Sequence, residues 1–406
     1  MLSRVLTPIR IIIISKMKKI GLVLSYKETN YGAQLQAYAT QVVVDSLGLT
    51  TEIIDYIPKK GDRQIVLSPG LFRFLYQRFK YVRKSKKYTE SDDPLFIKNK
   101  KERTEQYKLF IQRRMHGIVQ CNGFSDLATK GKCYDAVLIG SDQKWLPGFS
   151  FTNVSSLRFV PDNVRKISYA TSLGVSEYPK YCWPTSRKVW KRIDFLSVRE
   201  QQGADIIKQV CGSDTPVQVV VDPTYLLTKT QWEELIPVEK KSAQKYVFCY
   251  FLGNDDTSKQ IARRFADEKK LKLVSVLSKE SYSPIDQTYA DELVIGNTPE
   301  DFINWIRGAE YVFTDSFHGT AFSVINEKQF FIFYRKRAET ISRNSRVDNI
   351  LGKWGLKDRL VLPGAQDVDL TGLKDIDYEK VNTLVGKERE KSLAFLKEAL
   401  RFDDNK

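Results

Sequence analysis

Two histidines stand in 406 residues, and one of them, His318, sits where chemistry is easiest to build. It lies in Tyr311–Val324, reading YVFTDSFHGTAFSV. Tyr311-Val312-Phe313 has strand character, and Gly319 onward reads as a helix opening on small residues. Between them Thr314, Asp315, Ser316 and His318 crowd one turn. The first N–H groups of a helix have no intrahelical partner and favour anions, and ligands of open α/β sheets sit at the carboxyl ends of strands. Imidazole titrates near neutral pH, which makes His318 a candidate general acid. A helix N-terminus disfavours imidazolium, so a nearby acid or a bound phosphate must keep it protonated; Asp315 is the candidate. Ser316, Gly319 and Thr320 complete the expected ligand-binding turn. The plainer alternative is that His318 only caps the helix.

The elements that must position this turn recur along the chain. Ile20–Ser25, a polar loop, the helix Ala33–Leu47 and the strand Thr51–Tyr56 form a strand-helix-strand opening, which argues a parallel, Rossmann-like sheet. Asn30, Tyr31 and Gly32 lie at its first turn, where Gly32 permits close backbone approach to a ligand. Tyr134–Ile139 runs into a second polar strand-end loop carrying Ser141, Asp142 and Gln143. Phe195–Val198 leads to Arg199, and Val217–Val221 to Asp222-Pro223-Thr224. Any one of these loops is ordinary turn chemistry; several at the ends of one sheet line a common crevice. After a charged joint at 226–243 the strand-helix pattern restarts at Tyr246 and continues to Gln329–Phe333, followed by the basic loop Tyr334–Arg346.

Length and charge set the outer limits. The chain is too long for one ordinary core, so two domains are expected. An apolar content of 42% excludes wholesale disorder. Sixty-five Lys and Arg against 49 Asp and Glu give +16, which favours anionic partners. Five scattered cysteines fit neither a disulfide framework nor zinc spacing; they point to a reducing cytosol and to no metal or other cofactor. Ile11–Ile14 is too short to span a bilayer, and Met17 is an alternative start. The expected domains are an extension 1–17, a first Rossmann-like domain 18–225 with a basic helical insertion 71–114, a linker 226–243, a second domain 244–375, and a C-terminal helix 376–406 that folds back onto the first. In the insertion, Leu71, Phe72, Phe74, Leu75, Phe79, Tyr81 and Val82 interleave with Arg73, Arg78, Lys80, Arg83, Lys84, Lys86 and Lys87. That pattern reads either as a surface for anionic lipid headgroups or as a solvated hairpin. No nucleic-acid recognition motif accompanies it.

With these segments in place, the chain resembles the polysaccharide pyruvyl transferase family. The matching words are NYGAQLQAY (30–38), IGSDQKW (139–145), SVRE (197–200), VDPTYLL (221–227), TDSFHGTAFS (314–323) and NSRVDNIL (344–351), in the family's order over roughly 18 to 362. The resemblance implies an α/β fold of two Rossmann-like domains facing a cleft, as in B-type glycosyltransferases. It implies transfer of a pyruvyl group from phosphoenolpyruvate to two sugar hydroxyls as a cyclic ketal. The setting it implies is capsule or cell-surface polysaccharide assembly, on a polyprenyl-diphosphate-linked glycan, with the enzyme peripheral at the cytoplasmic face of the membrane. Arg199 matches the family's strand-end arginine and would pair with the carboxylate or phosphate. Some members carry an arginine two residues before the histidine, where this chain has Ser316. Arg335, Arg337, Arg343 and Arg346 are the replacements on offer, with Arg346 preferred; the plainer reading pairs Arg346 with Asp348. A nucleotide-sugar glycosyltransferase of the same fold, and a non-catalytic glycan- or lipid-binding partner, are the alternative functions.

Overall fold

The structure, a computed structural model, describes residues 17–59, 62, 68–85, 93–253, 255–278, 283–335, 345–363 and 368–402. The extension before Met17, Lys86, Lys87, Arg337 and Arg343 lie outside the described residues.

Two parallel sheets carry the fold. The first holds β1 (Lys19–Val23), β2 (Thr50–Ile57), β3 (Ile118–Asn122), β4 (Ala136–Ile139), β5 (Arg165–Thr171), β6 (Phe195–Val198) and β7 (Gln218–Val219), ordered β3-β2-β1-β4-β5-β6-β7. The second holds β8 (Tyr246–Tyr250), β9 (Lys272–Val276), β10 (Glu292–Val294), β11 (Tyr311–Thr314), β12 (Gln329–Phe333) and β13 (Leu360–Val361), ordered β10-β9-β8-β11-β12-β13. Central strands such as β4 and β8 are buried along their whole length and read as unbroken apolar runs, as strands covered on both faces do. The sequence reading passed over β3, β10 and β13. Each is an edge or near-edge strand, short or half-exposed, so no apolar run announces it.

The helices in chain order are α1 (Tyr31–Ser46), α2 (Pro69–Ser85), α3 (Pro94–Arg114), α4 (Phe124–Gly131), α5 (Trp183–Trp190), α6 (Gln201–Cys211), α7 (Lys229–Leu235), α8 (Asp256–Lys269), α9 (Pro299–Gly308), α10 (Phe317–Ile325), α11 (Ser345–Trp354) and α12 (Tyr378–Ala399). Helix α1 is buried on almost every side, because it lies between the two sheets rather than on a surface. Asn30 caps it by accepting from Ala33 N–H at 3.2 Å, which moves its start ahead of the Ala33 expected. The charged stretch 226–243 is a helix as much as a linker: Thr228 forms a capping box for α7, and Trp232 packs edge-on against Phe322 at 5.2 Å.

The segment 71–114 divides into two helices with different jobs. Helix α3 is a brace between domains. Its Arg103 is buried, donates to Leu277 O at 2.9 Å beyond β9, and lies over the Tyr31 ring at 4.5 Å. Asn99 donates to the same carbonyl at 3.0 Å. Around Tyr31 gather Tyr107 from the first domain and Tyr250 and Phe302 from the second, with Phe302 stacked at 4.7 Å. The helix α12 lies against the first domain: Ser392 accepts from Val221 N–H at 3.0 Å, and Phe395 contacts Tyr169. One apolar core therefore runs through both domains.

Candidate functional site

Both sheets change winding direction between their first and fourth strands, and the loops leaving those four strands meet. From β1 come Ser25, Glu28 and Asn30, from β4 Asp142 and Gln143, from β8 Leu252, and from β11 Ser316, Phe317 and His318. Arg335 after β12 and Arg346 on the first turn of α11 close the ring. Together they line a cleft of about 350 Å³, at the place where doubly wound sheets bind ligands.

His318 stands on the first turn of α10, which Ser316 caps by accepting from Gly319 N–H at 3.3 Å. Its ring is wedged between α10 and the start of α1. A side chain at Gly32 would place its Cβ 2.0 Å from His318 Nδ1, so the close approach Gly32 permits is to the imidazole and not to a ligand. Nε2 faces Asp222 Oδ2 at 3.6 Å, beyond hydrogen-bond length and within ion-pair range.

Asp222 is the acid that stands against His318, and the expectation of Asp315 is corrected. Asp315 spends its oxygens on the Leu252 and Gly253 N–H groups, at 2.8 and 2.6 Å, and on Arg335 at 3.4 Å. It fixes the loop after β8. Asp222 Oδ2 accepts from Arg199 Nη1 at 2.6 Å and from Ser141 Oγ at 2.8 Å, while Oδ1 takes the Thr224 N–H and hydroxyl. Burial works against its charge, yet His318 and Arg199 outweigh burial and hold the carboxyl well below the usual carboxylate range. It is an ionised group locked under the histidine.

Arg199 also departs from expectation. Its Nε and Nη1 are committed to Glu200 at 3.0 Å and Asp222 at 2.6 Å, and its plane covers the Phe317 ring at 4.2 Å. It serves as a strut beneath the cleft, with Nη2 alone lacking a hydrogen-bond partner among the described residues. Ser141 belongs to the same buried network and does not line the cleft. Tyr31 is part of the interdomain aromatic cluster, its hydroxyl donating to Asn297 O at 3.4 Å. Thr320 donates to Ser316 O at 3.1 Å, inside its own helix. Gly319 is small because Thr314 Oγ1 would lie 2.5 Å from a Cβ there. Ser141, Tyr31, Thr320 and Gly319 do not line the cleft; they hold the elements around it.

Arg346 lines the cleft, its Nε buried without a partner among the described residues. Asp348, its plainer partner, accepts from the Tyr334 hydroxyl instead. Burial, then repulsion from Arg199, pushes the Arg346 guanidinium down to about 9, well below the ordinary arginine range. Its Nε and Nη2 of Arg199 are buried without partners among the described residues, whereas Nε of Arg335 and Nε2 of His318 meet Asp315 and Asp222 at 3.4 and 3.6 Å. Buried donors of this kind are rare and call for an acceptor. Asp142, at the cleft wall, holds a left-handed backbone at φ 73°, a strained conformation that clusters at functional sites. Lys144 behind it is held below the ordinary lysine range by burial, against the pull of Asp142 and Glu28. Asp222, Glu200 and Lys144 are the residues of this region that sequence reasoning left without a role. All three lie in the quoted words SVRE, VDPTYLL and IGSDQKW, so the signal was present but no partner could be read from it. Among the described residues no group of three His, Cys, Asp or Glu side chains could hold a metal ion.

A family model described as polysaccharide pyruvyl transferase matches residues 30–337, most of the chain. No protein of curated function matches. The plan of two parallel-sheet α/β domains is shared with a solved UDP-GlcNAc 2-epimerase. The UDP-GlcNAc 2-epimerase of Methanocaldococcus jannaschii is similar at 8% identity and a TM-score of 0.50, over 94% of this chain and 99% of that one. The UDP-GlcNAc 2-epimerase of Neisseria meningitidis, bound to UDP-GlcNAc, gives 10% and 0.46 over 95% and 94%. The ADP-heptose heptosyltransferase II of E. coli gives 10% and 0.35 over 92% and 99%.

Proposed function

The chain belongs to the polysaccharide pyruvyl transferase family, and from that premise we propose that its cleft transfers a pyruvyl group from phosphoenolpyruvate to two hydroxyls of one sugar. The observation that carries this reading is the pair of arginine nitrogens, Arg346 Nε and Arg199 Nη2, buried without partners among the described residues beside a histidine backed by an ionised carboxylate. Phosphoenolpyruvate brings two anionic groups, and Arg346, Arg335 and the N–H groups opening α10 are of the right kind to receive them. His318, as imidazolium, gives its proton to the methylene carbon, and the central carbon becomes electrophilic. A first sugar hydroxyl adds there and loses its proton, which returns to the imidazole. The carbon–oxygen bond to phosphate then breaks, and the second hydroxyl adds and gives its proton to the departing phosphate, closing the ketal and releasing inorganic phosphate. Asp222 stabilises the charged imidazole and keeps its ring in place, as a buried carboxylate does for a catalytic histidine.

The acceptor is a glycan of capsule or cell-surface polysaccharide assembly, carried on a polyprenyl diphosphate at the cytoplasmic face of the membrane. The chain's charge of +16 supports work beside an anionic surface. No described helix is long and apolar enough to cross a membrane, so attachment would be peripheral.

The test is phosphate release from phosphoenolpyruvate with a panel of lipid-linked galactose, glucose and mannose acceptors. Native protein should release phosphate only with an acceptor. His318→Gln should lower kcat by about 10²–10⁴, and Arg346→Met should abolish the rise in thermal stability that phosphoenolpyruvate confers. Release that survives His318→Gln removes the general acid. No release with any acceptor, together with binding of a nucleotide sugar, overturns the reaction in favour of glycosyl transfer.

A further inference from the structure

Helix α2 turns large apolar side chains outward. Phe72 and Tyr76 are each 65% exposed, Phe79 64% and Leu75 42%. Positions 72, 75, 76 and 79 follow the i, i+3, i+4, i+7 spacing that makes one continuous helical stripe. The first turn and a half of the helix is seated on the domain. Leu71 is buried, and Phe74 packs on Phe151 at 5.9 Å and fills the space over Gly148, where a Cβ would meet its ring at 2.3 Å. Contiguous apolar surface of this sort marks an interaction face, unlike single scattered residues.

The charge of the helix identifies the partner. Between Pro69 and Ser85 stand Arg73, Arg78, Lys80, Arg83 and Lys84, with no acidic residue. An aromatic stripe on a uniformly basic helix fits the headgroup boundary of an anionic bilayer, rings at headgroup depth and cations on lipid phosphate. A second copy fits poorly, since a two-fold contact through α2 would set like charges against each other. The loop on which Phe74 sits is the one that follows β4 and supplies Asp142, Gln143 and Leu146 to the cleft wall. We propose that α2 is an in-plane membrane anchor that holds this wall of the cleft about one helix diameter, ~10 Å, from an anionic lipid surface. Its purpose, presenting the cleft to a membrane-borne acceptor, rests on the transferase reading; its binding does not.

The full chain is sedimented with vesicles of phosphatidylcholine alone and of equimolar phosphatidylcholine and phosphatidylglycerol. The native protein should sediment with the anionic vesicles and be released by high salt. Phe72→Ser combined with Tyr76→Ser should weaken partitioning at least tenfold. Arg73→Gln combined with Arg78→Gln should weaken it about thirtyfold, at about fivefold per cation. Both double variants should keep the native melting temperature and the native rate of phosphate release on a soluble acceptor. Native protein that ignores anionic vesicles, or serine variants that bind them as well as native, overturns the proposal. So does a dimer in sedimentation analysis that the serine variants dissolve. Vesicle binding that persists while no acceptor yields phosphate leaves the anchor standing and removes the transferase reading; the reverse result does the opposite.

Discussion

At Asp222 a single oxygen, Oδ2, answers to Arg199, Ser141 and His318. That arrangement keeps one negative charge under the imidazole whatever the cleft contains. Its folded pKa lies below its unfolded value near 3.9, so the stabilisation is fully present at neutral pH and is lost as pH falls below about 4. Asp222→Asn should cost about 3–5 kcal/mol at pH 7, because it strands a buried arginine. The gap between native protein and variant should narrow by about 1.4 kcal/mol per pH unit below pH ~4. Urea unfolding at pH 7 and pH 3 measures it, and an equal gap at both would mean the carboxylate is not held ionised. If Asp222 positions His318, the same variant should lower kcat by tenfold or more while KM for the proposed donor, phosphoenolpyruvate, changes much less. Sequence position pointed to Asp315 as the acid, since proximity along the chain is all that a sequence offers. Asp315 is instead consumed by the backbone of its own loop.

The element on which the site depends most is α1. Its first turn meets the ring of His318 through Gly32, and its Asn30 cap lines the cleft. Alanine is the better helix former by about 1 kcal/mol, but here its methyl would occupy the place of the imidazole. Gly32→Ala should therefore cost activity far more than stability: a net loss of no more than about 2 kcal/mol, with kcat/KM down at least tenfold. Gly386→Ala, in α12 with nothing within 4 Å of the added methyl, should raise stability by about 0.5–1 kcal/mol and leave turnover unchanged. Thermal melts and steady-state rates of both variants check this; a fully active Gly32→Ala protein would mean the ring has room to move. The strand-to-helix turn holding Asn30 and Gly32 was legible in sequence. Its tertiary partner was not, because nothing near Gly32 in the chain says which side chain will press on it.

Over the whole molecule, the two sheets are held in register by α3 and the aromatic cluster around Tyr31. Arg103 takes part in both. Replacing it with methionine should cost about 1.5–3 kcal/mol, the worth of charged hydrogen bonds to Leu277 O and Tyr107. It should also loosen the angle between the domains, raising KM for the proposed donor several-fold with a smaller change in kcat. Isothermal titration and kinetics would test this, and an unchanged KM alongside unchanged stability would remove α3 from its bracing role. The basic composition of 71–114 led the sequence reading to treat the segment as one surface. Folding separates it, since α3 sends Phe96, Asn99, Arg103, Tyr107 and Phe110 inward while α2 keeps its stripe in solvent.

The sequence by itself determined the alternation of buried strands and helices, the two-domain plan and the strand-to-helix turn that carries His318. Each of these is written in apolar periods and turn residues that act within a few positions of one another. Tertiary structure decided which of several acids faces the histidine, which arginine is paired and which is left without a partner, and that Tyr31 joins domains while Phe72 and Tyr76 face outward. Those outcomes depend on distances between loops far apart in the chain. Ion pairing and burial fall off over a few ångströms, so only the packing of both sheets could set them.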